Sequence, residues 1–178
     1  MPAMPDTTPK KTAFFDFDGT IAAPVFDVGE KKTPGLPFGE WKTYVSENPD
    51  AYCDTAPVIP VLSYAIRLHA CGWDLKILTG TNGDNSEHTK RKWLEDTGFA
   101  WLFSEVVPVK KQSDKVGYVL EYARNHGLAP ADCLVVDDNY VTVVAATAAG
   151  ISAMHVSHVI AGNYDPSGTN PKLDGRDA

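Results

Sequence analysis

The stretch TAFFDFDGT at residues 12–20 determines how the rest of this chain is interpreted. It opens with a short apolar run and ends abruptly in Asp16, Asp18 and Gly19. A continuous apolar run of this kind is typical of a strand that is covered on both faces of a parallel sheet. We therefore predict a first strand over residues 12–17, with two carboxylates at its carboxyl end.

Apolar runs and helical patterns alternate along the rest of the chain. Four more strands are predicted, over 74–78, 103–109, 133–136 and 152–156. Apolar residues at helical spacing predict helices near 58–68, 116–123 and 141–148, and a more polar helix is predicted over 86–97. Strands that alternate with helices indicate an α/β fold, so we expect a three-layer, Rossmann-like domain with a mostly parallel five-stranded sheet.

The domain boundaries follow from local composition. We predict one core domain over residues 12–160, between flexible tails at 1–11 and 161–178. Residues 21–57 interrupt the alternation because they are rich in Pro, Gly and aromatic residues. We interpret this segment as a small insert after the first strand, with a loop or hairpin followed by a short helix near 40–46.

Composition excludes several classes of partner. The 178 residues carry a formal net charge of -7, which argues against general nucleic-acid binding because that depends on Lys and Arg. No apolar run approaches the ~20 residues that span a bilayer, and residues 1–11 lack the apolar segment of a signal peptide. Cys53, Cys71 and Cys133 have no metal-binding spacing and are predicted to be buried, reduced thiols. These features favour a cytoplasmic protein that does not enter a membrane.

Polar side chains end three of the predicted strands: Asp16 and Asp18, then Thr79, then Asp137 and Asp138. The carboxyl ends of parallel strands share one edge, where α/β proteins bind their ligands, so we expect these side chains to converge. Mg²⁺ takes oxygen ligands, usually a few carboxylates together with waters and phosphate oxygens. The pattern predicts a Mg²⁺ site that can bind a phosphate group.

A lysine completes this predicted site. Lys115 opens the helix that follows the third strand, so its ammonium group can reach the same edge. A neighbouring cation keeps a carboxylate ionised and nucleophilic. A second carboxyl group two residues further on can give a proton to a leaving group and later take one from water. Lys110 and Lys111 lie close by and remain alternatives for this lysine.

In chain order, these segments resemble the four motifs of the haloacid dehalogenase (HAD) superfamily. FFDFDGT at 14–20 resembles the first motif, apolar residues followed by D-x-D-G-T, and ILTG at 77–80 resembles the second, a strand that ends in Thr or Ser. Lys115 resembles the third-motif lysine, and VVDD at 135–138 is similar to the acidic fourth motif. The likeness extends over residues 12–156.

The resemblance implies a HAD-like fold and a phosphatase activity. Asp16 would be the nucleophile, forming an aspartyl-phosphate, and would also ligate Mg²⁺. Asp18 would be the general acid and base, with its backbone carbonyl on the metal. An Asp at this position favours phosphatase chemistry over the dehalogenase branch, whose members lack it.

The remaining motif residues would bind phosphate and metal. Thr79 and the backbone amide of Gly80 would hold the phosphoryl oxygens, and Lys115 would stabilise both nucleophile and phosphate. Asp138 would ligate the metal, and Asp137 would assist directly or through water. The short insert implies a minimally capped member, which is compatible with large substrates or with a small cap that closes by oligomerisation, so the oligomeric state stays open. A small phosphorylated metabolite, of the nucleotide or sugar phosphate class, is the substrate to consider first.

Some features leave alternatives. KRKWL at 90–94 with Gly98 and the acidic pair is weakly similar to the deoxyribonucleotidase branch. A phospho-acceptor domain, like a response-regulator receiver, uses similar residues but places its acidic pair first, whereas here D-x-D leads. A catalytically silent HAD-like binding module is a further alternative, although every expected catalytic residue type is present.

Residues outside the motifs have structural interpretations. The basic run at 90–92 is interpreted as a solvated helix face, and His155 and His158 as structural or exposed. The tryptophans at 41, 93 and 101 are predicted to be packing residues. Phe38 and Trp41, in the insert, are also candidates for lining a substrate pocket.

Overall fold

The computed structural model describes residues 10–28, 31–34, 38–48, 50–53, 55–80 and 86–162. Its strands are β1 (Thr12–Phe15), β2 (Ala22–Val28), β3 (Lys31–Pro34), β4 (Thr55–Pro57), β5 (Asp74–Gly80), β6 (Glu105–Val109), β7 (Cys133–Asp137) and β8 (Ser152–His155). Its helices are α1 (Phe38–Glu47), α2 (Ile59–Ala70), α3 (Ser86–Asp96), α4 (Asp114–Asn125), α5 (Tyr140–Ala148) and α6 (Val156–Ile160).

The central sheet contains five parallel strands in the order β6-β5-β1-β7-β8. This arrangement confirms the predicted α/β fold. Phe15 of β1 lies opposite Ile77 of β5 on one side and Val136 of β7 on the other. Because the strands run in one direction, the residues at the ends of β1, β5 and β7 meet at a single edge of the sheet.

Helices cover both faces of this sheet. β1 is buried along its whole length, and Ala13 and Phe15 face one apolar cluster while Phe14 faces another. α2 and α3 complete the first cluster, and α4 with part of α5 completes the second. A fully buried large apolar side chain contributes ~1.5–3 kcal/mol to stability. The central strand thereby anchors all three layers, and with them the edge that follows it.

The segment after β1 forms a small antiparallel sheet in the order β3-β2-β4. Ala22 pairs with Pro57, so the chain leaves the core along β2 and returns along β4. Trp41 of α1 packs in this segment, stacking on Tyr44 and meeting the ring of Tyr52 edge-on. The side chain of Phe38 lies outside the described residues, so its contact with a substrate stays a prediction.

One predicted core stripe points the wrong way. Val141, Val144, Ala145 and Ala148 form the apolar stripe whose spacing predicts the helix at 141–148, yet they are exposed, and Val141 is 75% accessible. The buried residues are Thr142 and Ala146. Almost every residue of α5 is apolar or small, so the periodicity identifies a helix but does not select the face that packs on the sheet.

Two other burial predictions are partly wrong. Trp41 and Trp93 are buried, but Trp101 is 61% exposed and meets His69 edge-on. Trp101 lies in a short 3-10 turn before β6, outside the layers that the sheet covers. All three cysteines are free thiols, of which only the strand residue Cys133 is buried. The other two lie in turns and are exposed.

The described ranges contain no helix that is both long and apolar enough to cross a membrane. The predicted tails lie almost entirely outside these ranges, at residues 1–9 and 163–178. The domain boundaries therefore stay predictions.

Candidate active site

A buried lysine joins the ends of β1 and β7. Lys115, in the first turn of α4, places its Nζ 2.8 Å from Asp16 Oδ1 and 2.8 Å from Asp137 Oδ2. All three side chains are buried, and the backbone of Asp16 is fixed by its N–H, which donates to the Val136 carbonyl at 2.9 Å. Lys110 and Lys111 are exposed. Among the three candidate lysines, the structure brings Lys115 to the carboxylates.

Asp138 completes a cluster of three carboxylates. One oxygen from each of Asp16, Asp137 and Asp138 lies within 4.8 Å of the others. Asp138 can approach because Gly19 has no side chain: a Cβ built there would lie 2.3 Å from Asp138 Oδ2. Gly19 also has a φ of +76°, a conformation that glycine adopts readily and other residues do not. The glycine of the first motif thus leaves the space that Asp138 of the fourth motif occupies.

The cluster carries more negative than positive charge. Burial, opposed by Lys115 and reinforced by Asp137 and Asp18, raises the pKa of Asp16 to about 7. Burial and Asp137 also raise the pKa of Asp138. Burial alone would lower the pKa of Lys115, but its two carboxylate partners outweigh this and raise it. One ammonium group therefore does not balance three carboxylates.

Asp137 is held by neighbours that the sequence did not reveal. Gln112, in the loop before α4, donates from Nε2 to both carboxylate oxygens at 3.3 and 3.4 Å, and also to Thr142 Oγ1 at 3.2 Å. The backbone N–H of Asn139 donates to Asp137 Oδ1 at 2.8 Å. Asn139 also caps α5, because its side chain accepts from the Val141 N–H.

Asp18 has separate partners. Its Oδ2 lies 2.8 Å from Lys90 Nζ, and its Oδ1 accepts a hydrogen bond of 2.7 Å from the Tyr52 hydroxyl. Lys90 also donates to Thr79 Oγ1 at 2.6 Å and to the Gly80 carbonyl at 3.2 Å. The structure thus brings all the predicted site residues to one sheet edge, although the Asp18 carboxylate lies outside the cluster of three.

Lys90 corrects the interpretation of the basic run at 90–92. Arg91 and Lys92 are solvent-exposed, and each pairs with an acidic residue on its own helix. Lys90, in contrast, is fully buried. A signal for this was present, because Lys90 precedes Trp93 and Leu94 by three and four residues and so shares their inward face. Tyr52 had no comparable signal, since it comes from a turn of the insert.

His155 supports the backbone of the acidic pair. The N–H of Ser157 donates to His155 Nδ1 at 3.2 Å, so Nε2 carries the ring proton of the neutral imidazole and donates it to the Asp138 carbonyl at 2.9 Å. This histidine therefore has a structural role, as predicted, and it ties β8 to the edge of the site.

The donor set of the cluster fits a divalent cation. Carboxylates are the ligands that Mg²⁺ prefers, and a bound cation would offset the negative charge of the three carboxylates. Asp18 was predicted to contribute its backbone carbonyl, and this leaves its carboxylate free to pair with Lys90 and Tyr52.

The fold is a HAD-like α/β fold, as comparison with solved structures shows. No protein-family model matches the sequence, and no curated protein matches it. Solved structures do match. A HAD-superfamily hydrolase of subfamily IA from Geobacter sulfurreducens superposes with a TM-score of 0.56 and 15% identity, over 85% of this chain and 98% of that one.

Two further structures give the same result. A putative haloacid dehalogenase-like hydrolase from Bacteroides fragilis has a TM-score of 0.56 and 16% identity, over 81% of this chain and 86% of that one. A HAD family hydrolase from Deinococcus radiodurans, with bound phosphate and sodium, has a TM-score of 0.51 and 15% identity, over 83% and 80%. At this level of identity the likeness establishes the HAD-like fold.

Proposed function

We propose that this protein belongs to the HAD superfamily and is a Mg²⁺-dependent phosphohydrolase that cleaves a phosphate monoester. The observation that carries the proposal is the Asp16 carboxylate, held 2.8 Å from Lys115 beside two further carboxylates at the edge of a HAD-like sheet. The order of the four motifs and the fold of hydrolase structures support it. The phosphate bound to the Deinococcus protein agrees with this chemistry.

Asp16, Asp137 and Asp138 would hold the Mg²⁺ ion, together with the backbone carbonyl of Asp18. When bound, the ion would screen the negative charge of the phosphate from the attacking carboxylate. The protein's own residues then do the rest of the binding. Lys115 and the hydroxyl of Thr79 donate to the phosphoryl oxygens, as does the amide of Gly80, and such fixed donors stabilise developing charge.

Two displacements at phosphorus complete the reaction. In the first, an Asp16 oxygen forms a bond to phosphorus, and the bond to the ester oxygen breaks with its electron pair on that oxygen. Asp18, as general acid, gives that oxygen a proton. In the second, water attacks the phosphorus and gives a proton to Asp18, and the bond to Asp16 breaks, which releases inorganic phosphate and restores the nucleophile.

The substrate class is part of the proposal. A small insert suits a small phosphorylated metabolite, such as a nucleotide or a sugar phosphate. No contact among the described residues favours the deoxyribonucleotidase branch over other branches. Cytoplasmic location stays a prediction from the sequence.

Strand order disfavours the phospho-acceptor alternative. When the five strands of the central sheet are numbered along the chain, their order is 3-2-1-4-5. Receiver domains such as CheY have the order 2-1-3-4-5. The candidate nucleophile, Asp16, directly follows β1, which is the first strand along the chain and the central strand of the sheet.

The test is hydrolysis of p-nitrophenyl phosphate with Mg²⁺ or with EDTA, by the wild type and by Asp16→Asn. We expect turnover that needs the metal and falls by at least ~10³-fold in Asp16→Asn, as for other essential nucleophiles. Asp96→Asn is the matched control, because Asp96 is an exposed carboxylate paired with Lys92 on α3. Full activity of Asp16→Asn would refute the proposal. A wild type that binds phosphate but turns over no ester would favour the silent binding module.

A further inference from the structure

The Asp18 carboxylate is clamped by two residues that lie outside the four motifs. Lys90 of α3 contacts one of its oxygens and Tyr52 of the insert contacts the other, at 2.8 and 2.7 Å. The Asp18 side chain is partly open to solvent, whereas that of Lys90 is fully buried. The clamp therefore lies beneath Asp18, and the carboxylate remains reachable from the edge of the sheet.

Lys90 has all its donors in use. An ammonium group has three N–H donors and no acceptor, and Lys90 meets three acceptors: Asp18 Oδ2, Thr79 Oγ1 and the Gly80 carbonyl. Its ammonium also lies 5.3 Å from the ring centre of Phe17 and 5.8 Å from that of Tyr52. A buried cation is costly unless it is fully paired, so this geometry is strongly determined.

The contact with Thr79 has a second consequence. Because Lys90 can only donate, the oxygen of Thr79 accepts from it, and the Thr79 hydroxyl directs its own proton to another acceptor, which in this structure is the Gly80 carbonyl at 3.5 Å. That proton is the group that the proposed function assigns to a phosphoryl oxygen. One lysine therefore contacts both the acid/base of the first motif and the hydroxyl oxygen of the second.

Tyr52 donates a hydrogen bond to Asp18. Its hydroxyl has one proton to donate, and its oxygen lies 2.7 Å from Asp18 Oδ1. Its ring is fixed by edge-on contacts with Phe17 at 5.1 Å and Trp41 at 5.5 Å. The insert thus contributes a rigid donor to the core.

We propose that Lys90 and Tyr52 are positioning residues that set the orientation in which Asp18 gives its proton to the leaving group and later takes one from water. The inference rests on the proposed function of Asp18. It adds two residues to the reaction, one from the helix after β5 and one from the insert, and both act through Asp18.

The test compares two phosphate esters that differ in their need for a proton. Phenyl phosphate needs a general acid, whereas 2,4-dinitrophenyl phosphate releases a stable phenolate that needs none. For Lys90→Met we expect kcat/KM on phenyl phosphate to fall by about 10- to 100-fold, a part of the ~10²–10⁴ that a general acid contributes. On the dinitrophenyl ester, kcat/KM should change less than about threefold, because this ratio reports the first displacement alone.

The second displacement gives an independent readout. A misplaced Asp18 activates water poorly, so kcat and KM on the dinitrophenyl ester should fall together, with a burst of dinitrophenolate in the first turnover. Tyr52→Phe keeps the ring and removes only the hydroxyl, so it should show the same selectivity with a smaller loss on phenyl phosphate, of about 3- to 10-fold. Lys92→Met, on the exposed side of the same helix, should leave both esters unaffected.

The outcomes separate this inference from the proposed function. Thermal melting should first show that Lys90→Met and Tyr52→Phe are folded. If kcat/KM then falls by the same factor on both esters, the two residues are merely structural and the inference is wrong. Wild-type turnover that needs Asp16 would leave the proposed function intact in that case. A wild type without activity on either ester would overturn the proposed function and the inference together.

Discussion

At the scale of single residues, Asp138 packs so close to Gly19 that there is no room for a side chain on Gly19. The glycine combines a left-handed backbone with a missing side chain, and both are needed, because a Cβ would overlap the carboxylate. The D-x-D-G-T signature therefore contains a steric requirement as well as two functional carboxylates. The requirement connects the first and fourth motifs, which lie more than a hundred residues apart in the sequence.

Replacing Gly19 by alanine should separate these two effects. We expect Gly19→Ala to cost about 1–2 kcal/mol of stability from backbone strain and also to displace Asp138, which would weaken Mg²⁺ binding by at least ~10-fold. Gly98→Ala is the matched control, because Gly98 has a φ of +78° and nothing within 4 Å of a built Cβ. Calorimetric titration with Mg²⁺ is the measurement. Equal affinity in the two variants would show that the contact has no effect on the metal.

At the scale of elements, α5 shows that periodicity and burial are separate questions. Its face at 141, 144, 145 and 148 is apolar but exposed, and Thr142 and Ala146 pack inward. Asn139 fixes where the helix begins, and the contact of Gln112 with Thr142 and Asp137 helps to fix its rotation. The polar anchors next to the site, rather than the apolar pattern, indicate which side of α5 faces the core.

The orientation of α5 gives a stability prediction. Val144→Lys should change the free energy of unfolding by less than about 0.5 kcal/mol, because the side chain points to solvent. Ala146→Leu should cost about 1–3 kcal/mol, because the residue is fully buried and the core has no room for the added methyl groups. Urea denaturation of the two variants is the measurement. A large loss in Val144→Lys with none in Ala146→Leu would mean that α5 is rotated in solution.

At the scale of the whole molecule, the central sheet converts distant sequence positions into one charged cluster. β1 lies between β5 and β7, so the residues that end these strands become neighbours, and α4 brings Lys115 to them. The cluster then has more negative than positive charge. Stability of the whole domain should therefore depend on pH and on a divalent cation.

The metal-free protein should lose stability as the pH rises. The folded-state pKa of Asp16 is raised from 3.8 to about 7, so its contribution is complete below its unfolded pKa and is lost as the pH rises through about 7. Asp138 shifts in the same direction. In EDTA we expect the wild type to melt several degrees lower at about pH 8 than at about pH 5.5, since ~1 kcal/mol corresponds to ~2–4 °C in a domain of this size. Asp16→Asn should flatten this dependence, and Glu95→Gln, at an exposed carboxylate on α3, should not.

Mg²⁺ should reverse this loss, because a ligand that binds only the folded state stabilises by ~2.7 kcal/mol at ~100 times its Kd. The increase in melting temperature should be larger at about pH 8 than at about pH 5.5, where protons compete for Asp16. Asp138→Asn should abolish most of it. If Mg²⁺ raised the melting temperature of that variant as much as that of the wild type, Asp138 would not be a ligand of the metal.

The amino-acid sequence was sufficient to predict the α/β fold, the strand that precedes Asp16 and Asp18, and the convergence of Thr79, Asp137 and Asp138 with these two residues. These follow from short-range signals, namely apolar runs and the residues that end them, combined with the rule that parallel strands share an edge. The choice among three nearby lysines stayed open, because all three lie in or next to the first turn of one helix.

Tertiary packing was needed to show which of those lysines is buried, which side of α5 faces the core, and which residues hold Asp18. Periodicity shows which residues of a helix lie on the same side, but the surfaces that pack against the helix select the side that turns inward. Lys90 illustrates this, since its spacing to Trp93 and Leu94 indicates an inward side, but its partners Asp18, Thr79 and Gly80 come from the turn after β1 and the end of β5. The contact of Tyr52 with Asp18 joins residues 34 positions apart, so it forms only when the insert packs against the core.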